Sequence, residues 1–186
     1  MWKRLVTQSL VFWIAGLVIL LDQYAKYLVR RAIPVGEVLS LAPGLDPYFR
    51  LLHIENTGAA FGMFQAGGTF FMIVAIIVSI IISYYAARLP SQGQWGLRIA
   101  LGLQLGGALG NLVDRLVNGP VTDYINVLSV LSTPIFNVAD LSITLGVIVL
   151  VLLMWGEARH PDQTPTAPAD GAARGPVDVG AADQSS

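Results

Sequence analysis

The sequence predicts an all-α membrane protein with four transmembrane helices, a small extracytoplasmic β-cradle and a disordered C-terminal tail. Apolar residues make up 54% of the 186 residues and charged residues only 12%, which is about half the charged fraction of an ordinary soluble domain. Four apolar runs are long enough to cross a hydrocarbon layer of about 30 Å, which takes about 20 helical residues. Composition and run length therefore both indicate an integral membrane protein.

The four predicted spans lie in a membrane domain of residues 1–156. Their approximate bounds are 8–29, 69–88, 95–114 and 138–155. A basic start followed by an apolar run also opens a signal peptide, but no small-residue cleavage site follows the first run. We therefore expect the first run to be a membrane helix like the other three.

The segment 32–68 differs from the spans because proline and glycine interrupt its short apolar pieces. Residues 49–54 have the pattern of a strand, and Asn56-Thr57-Gly58 is typical of a turn that lets another chain approach the backbone. We expect a little sheet here, forming a lid or cradle outside the membrane. Residues 157–186 have almost no large apolar side chains, so we expect a disordered polar tail.

Four spans place both termini on one side of the membrane. Slightly more arginine and lysine lies on that side than on the other, which favours cytoplasmic termini. The end of the first span, the segment 32–68 and the start of the fourth span would then share the outer interface.

The sequence has few of the residues that several kinds of catalytic and metal-binding sites require. The chain has no cysteine and only two histidines, so disulfides, thiolate metal sites and a cysteine nucleophile are excluded. We expect His53, on the predicted strand, to be structural. The net charge of −1 gives no basic surface for nucleic acid, and we expect neither a metal nor a cofactor.

The outer ends of the spans nevertheless carry many polar side chains. Ionisable groups that converge at one membrane depth indicate a functional site. Asp22 and Lys26 are four residues apart and share a helix face, where they could either anchor the helix end or line a site. The full set is Asp22, Lys26, Asn56, Asn111, Asp114, Arg115, Asp123, Asn137 and Asp140.

Asp123 and Asp140 are the candidates for chemistry. Two neighbouring carboxyl groups share one proton near neutral pH, so one can accept a proton from water while the other donates to a carbonyl oxygen. This arrangement hydrolyses a peptide without metal, thiol or histidine. Lys26 and Arg115 could hold Asp22 and Asp114 ionised as structural pairs.

Two other functions are compatible with clustered polar groups at a membrane face. A metal-dependent lipid phosphotransferase would need acidic residues at helical spacing. Asp114 and Asp123 are nine positions apart, with Gly119-Pro120 between them, which suits a helix poorly. A transporter or channel would thread polar residues through the bilayer, whereas here they gather at one end.

Five sequence blocks resemble bacterial lipoprotein signal peptidases, also called signal peptidase II, in the family's order. They are DQYAK at 22–26, NTGAAFG at 56–62, GGALGNLVDR at 106–115, GPVTD at 119–123 and FNVAD at 136–140. The blocks run from the first span to the fourth, and none departs from the family pattern.

The resemblance implies an aspartic endopeptidase of the bacterial cytoplasmic (inner) membrane. Such enzymes remove signal peptides from prolipoproteins that carry diacylglycerol, cutting just before the lipidated cysteine, and the antibiotic globomycin blocks them. The family's catalytic aspartates fall on Asp123 and Asp140. We also expect a monomer, in contact with membrane lipids. The family's supporting polar positions fall on Asp22, Lys26, Asn56, Asn111, Asp114, Arg115 and Asn137. Separately, the small residues Gly58, Ala59 and Ala60 either let an extended substrate peptide pass close to the backbone or pack a turn.

Overall fold

The fold consists of four long helices and a three-stranded antiparallel sheet. The structure is a computed structural model that describes residues 2–42, 44–58, 67–90, 93–128, 131 and 133–159. In chain order the elements are α1 (Trp2–Ala32), β1 (Val38–Leu39), β2 (Phe49–Asn56), α2 (Gly68–Arg88), α3 (Trp95–Val117), β3 (Val121–Val127) and α4 (Val138–Arg159). The predicted fold class is confirmed. The tail was predicted to begin at residue 157, but α4 continues to Arg159. From residue 160 onward the predicted tail lies outside the described residues.

The four helices are long and apolar enough to cross a membrane. In α2 and α4 only 17% of the most apolar 18-residue stretch is buried inside the protein, against 56% in α3. Apolar side chains on α2 and α4 such as Ile80, Ile81 and Leu152 are about 60% exposed, as expected for surfaces that face lipid. Helix α3 is therefore the central helix against which the other three pack.

Glycines on α3 allow this close packing. A Cβ atom at Gly106 would lie 2.6 Å from the Cβ of Val18 and 2.9 Å from the carbonyl oxygen of Ala15, both on α1. A Cβ at Gly110 would lie 2.8 Å from a carboxylate oxygen of Asp22. Small residues let membrane helices approach closely, so these two glycines set the distance between α1 and α3.

All four helices extend beyond the predicted spans, α2 by one residue and α4 by four, to Arg159. Helix α1 continues to Ala32, and its last turn carries Arg30 and Arg31, where cations interact favourably with the negative end of the helix dipole. Helix α3 continues three residues beyond 114, to Val117. Its last two turns remain helical although they are polar, because their side chains have partners on neighbouring elements.

The sheet has the strand order β1-β2-β3. Strand β2 pairs with β3 so that Ile54 lies opposite Asp123 and Asn56 opposite Val121, with a register shift between Leu51 and Ile54. Strand β3 follows α3 after a short turn in which Gly119 has a φ of +87°, a conformation that glycine adopts without strain. This turn brings Asp123 back toward the outer ends of the helices.

Candidate active site

An ion cluster with a fully buried centre joins α1 to α3. The Lys26 ammonium lies 2.8 Å from Asp22 and 2.9 Å from Asp114, and all three side chains are completely buried. The Arg30 guanidinium, 31% exposed, lies 3.4 Å from Asp114. Two carboxylates and two cations therefore balance, as buried charges require if their desolvation is to be offset.

One predicted pair is wrong. We expected Arg115 to hold Asp114, but the ion-pair partners of Asp114 are Lys26 and Arg30. Arg115 follows Asp114 directly on the same helix, and adjacent helical residues do not face each other. Its guanidinium instead donates to the backbone oxygen of Asn111 and lies 5.8 Å from the centre of the Phe71 ring.

Asp22 extends the cluster to a third helix. Its second carboxylate oxygen accepts a hydrogen bond of 2.9 Å from the backbone N–H of Ala139, in the first turn of α4. The first N–H groups of a helix have no partner within the helix, and negative charge is favoured there. Asp22 therefore fixes the start of α4 against α1.

Asn111 connects the ion cluster to Asp140. Its side-chain oxygen accepts hydrogen bonds from Lys26 at 2.9 Å and from the Asn137 amide at 3.1 Å. Its own amide donates to Asp140 at 2.7 Å. An ammonium group can only donate, so Lys26 determines which way the Asn111 amide points.

Asn137 and Asp140 form a reciprocal cap at the start of α4. The Asn137 side-chain oxygen accepts from the backbone N–H of Asp140 at 3.0 Å, and the Asp140 carboxylate accepts from the backbone N–H of Asn137 at 3.3 Å. This is the capping-box pattern, with asparagine at the N-cap and an acidic residue three positions later. The cap fixes the Asp140 carboxyl group at the N-terminus of the helix.

Asp123 is held from the sheet side. Asn56, on the neighbouring strand β2, donates to one of its oxygens at 2.8 Å, and the Asn137 amide donates to the other at 2.7 Å. The Asn56 oxygen in turn accepts from the backbone N–H of Gly58 at 3.0 Å. These contacts fix both oxygens of the Asp123 carboxyl group.

The pKa of Asp123 is raised to about 6. The main cause is burial, since Asp123 is only 3% exposed, and the nearby Asp140 charge acts in the same direction. The hydrogen bonds from Asn56 and Asn137 act in the opposite direction.

Both aspartates border one cavity of about 240 Å³. Gly58, Phe71 and Arg115 line the same cavity. The structure thus brings together, around one space, a strand carboxyl group and a helix carboxyl group that are 17 residues apart in sequence. Carboxyl groups positioned in this way can exchange protons with a molecule that binds in the cavity.

An apolar groove of about 250 Å³ adjoins this cavity and shares Phe71, Asn111 and Arg115 with it. Its remaining walls come from three helices: Val74, Ala75 and Val78 of α2, Ala108 of α3 and Ile143 of α4. The polar cavity therefore continues into an apolar space between membrane helices.

Sequence reasoning missed four residues of the cluster, one of them Asn118, whose amide donates to Asp114 at 3.4 Å. Gln23 donates to Asp22, Asp114 and the backbone oxygen of Gly110, Arg30 pairs with Asp114, and the Thr122 hydroxyl accepts from Arg30 at 3.0 Å. Arg30 lies four residues after Lys26 on α1, a helical spacing that could have indicated it.

Among the described residues no group of three or more His, Cys, Asp or Glu side chains is arranged to hold a metal ion. His53 is 3% exposed, and its Nδ1 lies 2.7 Å from the backbone oxygen of Ile33. As expected, His53 is buried in the sheet away from the two aspartates' cavity, where it contacts the end of α1.

Fold and site together define a class: a four-helix membrane protein in which two aspartates, each bonded to asparagines, border one cavity at the end of the central helix. A family model described as signal peptidase (SPase) II matches residues 14–156. The chain belongs to the signal peptidase II family and is a multi-pass membrane protein.

Individual relatives agree with this assignment. The lipoprotein signal peptidase of Bacillus subtilis (strain 168) is 41% identical over 146 residues, covering 78% of this chain and 92% of the relative. That of Anoxybacillus flavithermus is 39% identical over 153 residues, covering 81% and 88%. A solved structure described as a bacterial membrane enzyme superposes with a TM-score of 0.74 at 30% identity, covering 84% of this chain and 94% of the other.

Proposed function

We propose that this protein is a membrane-embedded aspartic endopeptidase that removes signal peptides from diacylglyceryl-modified prolipoproteins. It cuts the peptide bond just before the lipidated cysteine, and Asp123 and Asp140 activate the attacking water. The observation that carries this proposal is the shared cavity, where two carboxyl groups from different elements are each held by two N–H donors. Membership of the signal peptidase II family supplies the substrate class.

The reaction needs one proton on the pair. One carboxylate takes a proton from water as the water oxygen attacks the scissile carbonyl carbon, and the other carboxyl group donates its proton to the carbonyl oxygen. Two neighbouring carboxyl groups hold a single proton because their charges repel. The raised pKa of Asp123 is consistent with such a pair.

The substrate would reach the site sideways from the bilayer. A signal helix and two acyl chains keep the precursor in the membrane plane, so the dyad must be accessible from lipid. The apolar groove beside the cavity supports this route. Val74, Val78 and Ile143 line the groove, and Phe71 and Arg115 lie where it joins the cavity of the two aspartates. Gly58, at the cavity edge, leaves room for an extended peptide, while the neighbouring Ala59 and Ala60 lie outside the described residues.

We place the protein in the bacterial inner membrane with cytoplasmic termini and the dyad at the outer face. Arg30 and Arg31 end α1 on the dyad side, whereas Arg88 and Arg98 lie at the opposite end, so the charge bias is slight and the orientation rests on the family as well. We further propose that the enzyme acts as a monomer, without cofactor or metal, and that globomycin inhibits it by occupying the dyad.

The function can be tested with a purified precursor. The full-length protein in nanodiscs is incubated with a diacylglyceryl prolipoprotein and with the same precursor lacking the lipid, and mass spectrometry identifies the new N-terminus. We expect cleavage before the lipidated cysteine, little cleavage of the unmodified precursor, and inhibition by globomycin. Cleavage must also persist in excess chelator. Loss of activity on chelation, or release of a lipid product without peptide cleavage, would favour a metal-dependent lipid enzyme instead.

A further inference from the structure

The two aspartates are equally supplied with hydrogen-bond donors. Asp123 accepts from the side-chain amides of Asn56 and Asn137, and Asp140 accepts from the side-chain amide of Asn111 and the backbone N–H of Asn137. Each carboxyl group therefore has two N–H donors. The number of donors does not decide which carboxyl group is ionised.

The orientation of these donors is also fixed on both sides. The Asn56 amide cannot turn over because its oxygen accepts from the Gly58 N–H, and the Asn137 amide is held by the Asp140 N–H in the same way. The Asn111 amide is held by the Lys26 ammonium. These four hydrogen bonds to the two aspartates all come from N–H groups of fixed orientation, so we look for the difference between the aspartates in their other surroundings.

The surroundings differ in three respects. Asp140 lies at the third position of α4, where the helix dipole favours negative charge, whereas Asp123 lies on a strand, whose dipole is small. Asp140 is partly exposed, while Asp123 is 3% exposed. The Arg115 guanidinium attracts Asp140 more strongly than Asp123. All three differences favour the charge on Asp140.

The other charged groups around the two aspartates do not reverse this preference for the negative charge on Asp140. Lys26 of α1 attracts Asp123, but this effect ranks below the burial of Asp123 and below its repulsion by Asp140. Asp22 and Asp114 are neutralised by Lys26 and by Arg30. On the sheet side, Ile54 lies opposite Asp123 and the neutral Asn56 donates to it.

We infer that Asp123 carries the shared proton and Asp140 is the ionised carboxylate that activates water. The inference rests on the proposed function and assigns the two roles within it. Asp140 removes a proton from water, the water oxygen bonds to the carbonyl carbon, and the Asp123 proton passes to the carbonyl oxygen. The resulting gem-diol collapses when a hydroxyl proton returns to Asp123, the Asp140 proton passes to the leaving nitrogen and the C–N bond breaks. Both carboxyl groups regain their starting states.

Infrared titration of the substrate-free protein between pH 4 and pH 8 tests this assignment through the carbonyl stretch of protonated carboxyl groups. We expect the wild type to lose a protonated-carboxyl signal with a midpoint near 6, and the Asp123→Asn variant to lack this transition. The Asp140→Asn variant should keep a transition above the usual 3.8, because burial is the largest cause of the raised pKa. The Glu37→Gln variant removes an exposed carboxyl group and serves as the matched control.

A second variant tests the same assignment without changing either aspartate. Asn56→Ala removes one donor from Asp123 and should raise the midpoint, because hydrogen bonds from N–H groups favour the ionised form. An unchanged midpoint would contradict the inference. So would a transition that survives in Asp123→Asn and disappears in Asp140→Asn, or equal behaviour of both variants. Because no substrate is present, these results do not depend on whether the proposed peptidase function is correct.

Discussion

Asn137 donates to Asp123 with its side chain and caps α4, whose first turn contains Asp140, so one residue positions both carboxyl groups. The contacts measure 2.7 Å to Asp123 and 3.0 and 3.3 Å in the reciprocal pair with Asp140. The orientation of the proposed dyad therefore depends on the cap of α4. Asn137 thus has two roles, as a helix cap and as a donor to Asp123. A substitution that keeps only the cap should preserve stability and lose activity.

Replacing Asn137 by serine or alanine tests that coupling. Serine is a good N-cap, so Asn137→Ser should keep most of the stability, whereas Asn137→Ala should lose about 1 kcal/mol. Neither side chain has an amide to donate to Asp123, so we expect both variants to lose activity in kcat, by about 10²-fold or more. Turnover of a lipidated precursor and thermal unfolding in detergent measure the two effects. Near-normal turnover in Asn137→Ser would show that the Asp123 contact is dispensable.

The ion cluster predicts a stability effect at Asp114. Asp114→Asn leaves Lys26 paired with Asp22 alone and takes a buried partner from Arg30. Removing one member of a buried ion pair costs about 3–5 kcal/mol, and we expect the lower end because Arg30 is partly exposed. Yield and unfolding in detergent should fall while the folded fraction keeps part of its activity. A stable but fully inactive Asp114→Asn variant would place Asp114 among the catalytic groups.

The raised pKa of Asp123 predicts a pH-dependent stability. The folded protein binds a proton at Asp123 up to a pH of about 6, whereas the unfolded chain releases it near the usual 3.8. The folded state thus holds more protons between these values, and this group's contribution to stability is full below about pH 4 and is lost as the pH rises to about 6. The loss is on the order of 3 kcal/mol.

Unfolding free energies of the wild type and of Asp123→Asn, compared at pH 4 and pH 7, measure this contribution. The wild type should lose more stability than the variant over this interval. If the variant shows the same loss, the pH dependence comes from another group.

The glycines of α3 predict a packing effect. Gly106→Ala places a methyl group 2.6 Å from Val18 and 2.9 Å from the backbone of Ala15, so α1 and α3 must separate. Overpacking of this kind costs about 1–3 kcal/mol. Gly16→Ala is the matched control on α1, where an added Cβ has no neighbour within 4 Å and should be neutral or stabilising, since alanine is the better helix former. Equal effects of the two substitutions would contradict the close approach.

Much of the fold could be predicted from the sequence because long apolar runs must be membrane helices. The i, i+4 pairing of Asp22 and Lys26 was also predictable, since helical spacing alone brings them together. The partner of Asp114 was not. Its neighbour in sequence, Arg115, points along a different direction of the helix, whereas Arg30 approaches from α1 only because glycines let the two helices pack closely. Sequence spacing determines contacts within an element, and packing determines contacts between elements.

The hydrogen bonds around the aspartates show the same limit. The sequence placed Asn56, Asn111 and Asn137 near Asp123 and Asp140, but not which amide faces which carboxyl group. Those directions depend on Lys26, the Gly58 N–H and the α4 cap, which come together only in the folded chain.

The most direct test of the proposed dyad is the turnover of a diacylglyceryl prolipoprotein by Asp123→Asn and Asp140→Asn, each reconstituted in nanodiscs beside Glu37→Gln. Asparagine keeps the shape of the side chain but can neither accept the water proton nor deliver one. We expect each aspartate variant to lose activity by about 10³-fold or more, with folding intact by thermal unfolding, and Glu37→Gln to match the wild type. Near-normal turnover by either folded aspartate variant would contradict the catalytic pair.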